Sequence, residues 1–290
     1  MNTLQDRTIL YILGSSHSGS TLLAVLLGTQ PGILCLGEAD VFSSESKRLK
    51  ALDDRRCSCG GGNWKQCSFW KAVEQELQTR YQASLSDLDL STRDITKFRH
   101  YQLAFWNSVI QIVHDPVLID SSKGIESYIR LVDMEFPVAC VYIQRSPYGV
   151  IWSEMKKGKP WMWESFGYLH YQMRARLALR YQRQLRIQYE NLAKHPKETL
   201  RLVLDFLELD NSVIETNWRV EHQHLLRGNT RFLSMERDIR LDEEWRQQLS
   251  FWQKWAIGFI MLPLHVEAYA LYSTYLRLVD RVKFLWRNLK

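Results

Sequence analysis

From Gly14 to Thr21 the chain reads Gly-Ser-Ser-His-Ser-Gly-Ser-Thr, a composition and spacing suited to holding an anion. Glycines allow a tight turn in which successive backbone N–H groups converge, and a helix beginning behind them adds positive potential. The spacing follows the phosphate loop G-x-x-x-x-G-K-[ST] at every position but one: Ser20 stands where that loop has lysine. The lysine reaches the β- and γ-phosphates of a nucleoside triphosphate. Without it, the stretch Ser15, Ser16, His17, Ser18, Gly19, Ser20 and Thr21 suits a less charged phosphate better than a terminal one.

Two other groups carry chemistry. Asp120-Ser121-Ser122-Lys123 follows the apolar run Val117 to Ile119, and an acidic residue at a strand end reads as the Mg²⁺ ligand of a kinase or NTPase. The missing lysine at Ser20 speaks against that rival more strongly than Asp120 speaks for it. Cys57, Cys59 and Cys67 invite a zinc reading, but a structural site takes four ligands and the motif supplies three, so no metal is assigned. Cys35 and Cys140 sit in apolar runs and read as core residues. His222 and His224 precede Arg227, where they either orient the following loop or lie on the surface.

The elements that would position these residues alternate between short β-rich runs and longer helical patterns, which points to a parallel sheet. Strands are expected at Thr8–Leu13, Val117–Ile119, Val138–Ile143 and, more weakly, Arg186–Tyr189. Helices are expected at Thr21–Leu27, Phe69–Gln82, Arg99–Val113, Pro147–Lys156, Trp161–Leu185 and His195–Leu207. The fold class is α/β: a three-layer, P-loop-like fold with a mainly parallel sheet flanked by helices. Residues 1–250 form this domain, with an irregular cysteine-containing insert at 42–70. Residues 251–290 form a helical C-terminal extension.

Hydrophobic residues make up 46% of the 290, and charged residues 24%, an ordinary balance for a globular chain that does not indicate disorder. The formal net charge of +6 favours an anionic partner. No nucleic-acid-binding motif accompanies the basic residues, so none is assigned. The N-terminal apolar run leads straight into the glycine turn and reads as a strand, not a signal peptide. With an odd count of five cysteines, this favours a reducing cytoplasm.

The sequence Gly14 to Leu23, GSSHSGSTLL, resembles the 5′-phosphosulfate loop of the sulfotransferases that use 3′-phosphoadenosine 5′-phosphosulfate (PAPS), closest to their bacterial and Golgi-type branch. His17 occupies the position where that branch usually has Arg or Lys. Arg145-Ser146-Pro147, with Ser153 eight residues after the arginine, is similar to the family's 3′-phosphate element. An arginine fork and a hydroxyl donor suit a phosphate monoester. Arg227, Gly228, Asn229 and Arg231 are similar to the late loop that closes over that phosphate, and Tyr189 falls where the family has a tyrosine beside the adenine.

The resemblance implies PAPS as co-substrate, 3′,5′-ADP as product and no required metal. It implies in-line transfer of a sulfuryl group to a hydroxyl or, less readily, an amine. Gly37-Glu38 resembles the pair that carries the general base, and Lys123 would neutralise charge on the sulfuryl or bridging oxygen; His17 would serve the leaving phosphate. Which acceptor is used is not legible; a small molecule, carbohydrate or lipid is expected, met by the aromatics of Phe42–Trp70 and Trp161–Tyr171. The tail from Glu267 carries an apolar stripe among Arg277, Arg281, Lys283, Arg287 and Lys290. It reads either as packing against the domain or a second subunit, giving a homodimer, or as contact with an acidic membrane surface.

Overall fold

The computed structural model describes residues 3–43, 55–217, 222–227 and 239–264. The apolar run ending at Gly14 forms β1 (Thr8–Leu13), and Ile9 to Leu13 are wholly inaccessible to solvent. Such burial on both faces fits the central strand of a covered parallel sheet. Four more strands join it: β2 (Ile33–Cys35), β3 (Val117–Asp120), β4 (Val138–Gln144) and β5 (Gln184–Gln188). Their order is β2-β3-β1-β4-β5. β1 pairs in parallel with β3 (Ile9 beside Leu118) and with β4 (Ile9 beside Val138), and β2 pairs in parallel with β3.

After β1 the chain moves to one side of that strand, and after β3 it crosses to the other. Open α/β sheets bind ligands beyond the carboxyl ends of their strands at such a reversal. The glycine loop follows β1, and Glu38 and Lys123 lie just beyond β2 and β3.

Helices α1 (Ser20–Leu27), α2 (Ser68–Tyr81), α3 (Ile95–Ile112), α4 (Ile125–Asp133), α5 (Pro147–Met155) and α6 (Trp161–Ala178) follow in chain order. After β5 come α7 (Tyr189–Lys194), α8 (Pro196–Phe206), α9 (Trp245–Gln248) and α10 (Phe251–Met261). No helix among the described residues is long and apolar enough to cross a membrane.

The chain divides into two compact units. The first spans residues 1–14, 19–143 and 184–240 and holds the sheet; the second spans 15–18, 144–183 and 241–290. In the first, α2 and α3 pack an aromatic core in which Phe42, Trp70 and Phe105 are fully buried. In the second, α5, α6 and α10 surround Val150, Ile151, Leu169, Met173, Ile257 and Met261.

Several elements differ from the sequence expectation. β2 was not foreseen, because three residues are too few to show a period. α4 was likewise not foreseen, although its buried Ile125, Tyr128 and Leu131 recur every third residue. α3 begins four residues before the expected Arg99, since Asp94 accepts a hydrogen bond from the Lys97 amide and caps the helix there. The helix expected to reach Leu185 stops at Ala178, and Gln184 onward joins the sheet as β5. Tyr189 begins a helix instead of closing a strand.

Candidate active site

The β2–β3 ladder continues past the strand ends, with Leu36 N–H on Ile119 O at 3.2 Å and Ser121 N–H on Gly37 O at 2.7 Å. Gly37 turns with φ +73°, a conformation costly for any side chain. This extension brings Glu38 beside Lys123. The two form an ion pair, and Arg227 Nε lies 3.1 Å from the other carboxylate oxygen. Glu38 precedes a 3₁₀ turn at Ala39–Val41, yet its side chain makes no capping bond there. The carboxylate is thus held by two cations within the first unit.

Lys123 adopts φ +66°, and the Tyr11 hydroxyl fixes the next residue by bonding both the N–H and the carbonyl of Gly124, each at 3.1 Å. His17 is also left-handed, with φ +61°. Non-glycine residues in this region are uncommon and gather at functional sites.

Asp120 is 4% exposed, and its Oδ1 accepts from the Ala39 amide at 3.3 Å, the Ser122 amide at 2.9 Å and the Ser122 hydroxyl. Burial pushes its carboxyl up to about 7 in spite of these donors. The residue therefore anchors the Glu38–Ala39 segment.

In the glycine loop, the hydroxyls of Ser15 and Ser18 are buried and make no hydrogen bond among the described residues. Buried hydroxyls without partners are uncommon and call for an explanation, a ligand being one. Gly19 turns at φ +91°, and a Cβ built on it would fall 2.5 Å from Cδ2 of Tyr189. Ser20 opens α1. Tyr189 itself is 8% exposed, with its hydroxyl 3.4 Å from the Arg240 carbonyl.

The second unit holds its own polar cluster. Arg145 is 7% exposed; its Nη1 donates to the His17 carbonyl at 3.0 Å, and its Nη2 lies 3.0 Å from Asp242 Oδ2. Gly149 lies beneath the guanidinium, where an added Cβ would come within 2.8 Å of Nε. The same glycine's carbonyl accepts the Ser153 hydroxyl at 2.8 Å. His17 Nε2 lies 2.7 Å from Lys157 Nζ and 3.4 Å from Glu154 Oε1, so a lysine stands beside His17, not at the Ser20 position.

Within the first unit, the structure gathers Glu38, Lys123 and Arg227, and within the second, His17, Arg145 and Ser153. Gly228, Asn229, Arg231 and the basic tail lie outside the described residues. The sequence reading missed Lys157, Glu154 and Asp242, and no motif marks them. The aromatics proposed for the acceptor separate into two kinds. Phe42, Trp64, Phe69 and Trp70 are buried in the core, whereas Trp163 and Phe166 on α6 are 70% and 42% exposed.

A parallel α/β sheet with a glycine loop after its first strand is an arrangement suited to an anionic ligand. The Sulfotransferase family profile matches residues 10–212. The chain belongs to that family, whose reaction is sulfuryl transfer. None of the curated proteins matches the sequence. Among solved structures, the sulfotransferase domain from the curacin biosynthetic pathway is similar, at 21% identity and a TM-score of 0.55, over 90% of this chain and 98% of that one. The sulfotransferase domain of the Synechococcus PCC 7002 olefin synthase is similar at 17% identity and 0.53, over 87% and 93%. A sulfotransferase from Mycobacterium avium follows at 13% and 0.50, over 89% and 76%. These likenesses show the fold, and the α/β, P-loop-like expectation holds.

Proposed function

We propose that the donor is PAPS and that its sulfuryl group passes in line to a hydroxyl of a carbohydrate or lipid acceptor. The observation that carries the donor assignment is the pair of buried hydroxyls on Ser15 and Ser18, without a partner among the described residues, in a glycine loop that lacks the triphosphate-gripping lysine. In this reading Ser15 to Thr21 take the 5′-phosphosulfate, while Arg145 and Ser153 take the 3′-phosphate. Lys157 supplies the positive charge that His17 lacks when neutral.

Lys123 and Arg227 have anionic partners to exchange when donor binds. Drawn toward sulfuryl and phosphate oxygens, they release the Glu38 carboxylate to accept the acceptor's proton as the new O–S bond forms and the bridging O–S bond breaks. Electrostatics and positioning do most of the catalysis in such transfers. The transfer needs no metal in this scheme, because protein cations neutralise the leaving phosphate. The exposed Trp163 and Phe166 offer a face for a sugar ring or an acyl chain.

Calorimetric titration with 3′,5′-ADP, with and without Mg²⁺ and beside ATP, tests the donor. Metal-independent binding preferred over ATP is expected. Mg²⁺-dependent ATP binding with no response to 3′,5′-ADP would sink the proposal.

A further inference from the structure

Three cysteines in the irregular segment and one histidine far along the chain form a cluster that sulfuryl transfer does not use. The sulfurs of Cys57, Cys59 and Cys67 and a ring nitrogen of His224 all lie within 4.8 Å of one another. Cys59 Sγ is 3.5 Å from Cys67 Sγ, and His224 Nδ1 is 3.5 Å from Cys67 Sγ and 3.8 Å from Cys57 Sγ. All four residues belong to the first unit. The sequence supplies three ligands by motif; the fold supplies the fourth.

We infer that Cys57, Cys59, Cys67 and His224 bind one zinc ion as a closed structural site. Tetrahedral zinc with Zn–S of about 2.3 Å and Zn–N of about 2.0 Å sets ligand atoms roughly 3.8 Å apart for S···S and roughly 3.5 Å for S···N. The three separations above match those edges. They do not match a disulfide, whose sulfurs are about 2.05 Å apart, and all five cysteines are free. Four protein ligands leave no open position, so the ion is structural and not catalytic. Zinc entry releases the thiol protons to solvent, leaving thiolates on the metal.

The surroundings are built to hold the ligands. Gly60 and Gly62 take left-handed turns at φ +81° and +90°, and a Cβ on Gly61 would press to 3.3 Å on Cys59 Sγ. Cys67 precedes α2 as its cap residue. The His224 ring stacks on Phe69 with centroids 4.1 Å apart, and its carbonyl accepts the Trp70 indole N–H at 3.2 Å. Ser58 N–H donates to Leu225 O at 3.0 Å, and its hydroxyl donates to Gln223 O at 2.6 Å. Such outer contacts fix ligand orientation. They also fix segment 222–227, whose last residue is Arg227 on Glu38. The ion would thereby position Arg227 through His224.

The inference stands apart from the choice of donor or acceptor. Its test is zinc content by plasma mass spectrometry, together with zinc-edge X-ray absorption, on the full chain purified without chelator from zinc-supplemented cells. About one zinc per chain is expected, with three sulfurs near 2.3 Å and one nitrogen near 2.0 Å. Cys59→Ser and His224→Ala should lower the zinc content, while Cys35→Ser and Cys140→Ser keep it. If the ligand variants fold poorly, the absorption spectrum of the unaltered chain decides alone. Zinc below about 0.1 per chain, with the three thiols reacting freely with Ellman's reagent, would overturn the site. A shell of light atoms only, or a Cys59–Cys67 disulfide, would do the same.

Discussion

Arg227 places Nε 3.1 Å from Glu38 Oε2 while Lys123 engages the other oxygen, so one carboxylate is shared by cations from two loops. A carboxylate held only as a structural ion pair and one held ready as a base predict different kinetics. With Glu38→Gln, turnover of PAPS on a panel of hydroxyl acceptors should fall about 10²–10⁴-fold. Titration with 3′,5′-ADP should give an affinity close to that of the unaltered chain. An equal loss in both would reduce Glu38 to a structural partner of Arg227.

Arg145 rests on Gly149, with Ser153 bonded to the same glycine. Arg145→Ala should weaken 3′,5′-ADP about 10- to 100-fold, the value of a charge-assisted hydrogen bond of ~1.5–3 kcal/mol. Arg145→Lys should restore only part of that, since an ammonium lacks the planar fork. Gly149→Ala should also weaken binding, because its methyl group displaces the guanidinium. Unchanged calorimetric affinity in Gly149→Ala would separate Arg145 from the 3′-phosphate.

Gly19 meets Tyr189 so closely that no side chain fits between the loop and that ring. Gly19→Ala adds both this overlap and an unfavourable φ, and should cost about 1–3 kcal/mol in urea unfolding. Tyr189→Ala in the same chain should recover the overlap but not the backbone part. A double-mutant cycle measures the difference, and strict additivity would show that ring and glycine do not meet.

Asp120 carries a proton up to about pH 7, well above its ordinary carboxylate value, because burial disfavours the charge. The folded chain holds that proton more tightly than the unfolded chain. Asp120 therefore stabilises most below about pH 4, and its contribution declines as pH rises through about 7, by at most roughly 4 kcal/mol. Asp120→Asn keeps an acceptor oxygen for Ala39 and Ser122 but cannot ionise. Unfolding midpoints at pH 5 and pH 8 should differ less in this variant than in the parent. An unchanged pH slope would assign the titration to another group.

The long-range part of the site was the part that sequence could not reveal. Strand β1, the loop after it and α1 were legible, since burial and glycine spacing are local signals. Arg145 and Ser153 were legible together from the family's eight-residue spacing, and both contact Gly149. His224 was not: 157 residues separate it from Cys67, and a lone histidine carries no ligand pattern. Lys157 beside His17 was hidden for the same reason, being 140 residues away. The end of α6 was misread because apolar residues continue through Leu185, and pairing with the sheet overrode the helical period there.

The segment from His222 to Arg227 has a consequence for how the chain is made. Synthesis delivers the glycine loop, Glu38, the three sulfurs and Lys123 well before His224 and Arg227 leave the ribosome. The five described strands are complete by Gln188, so their sheet can form around an unfinished site. Until residue 227 emerges, Glu38 has Lys123 but lacks Arg227, and the cysteines wait for their histidine. Emergence of residues 222–227 thus decides whether an assembled sheet becomes a competent enzyme.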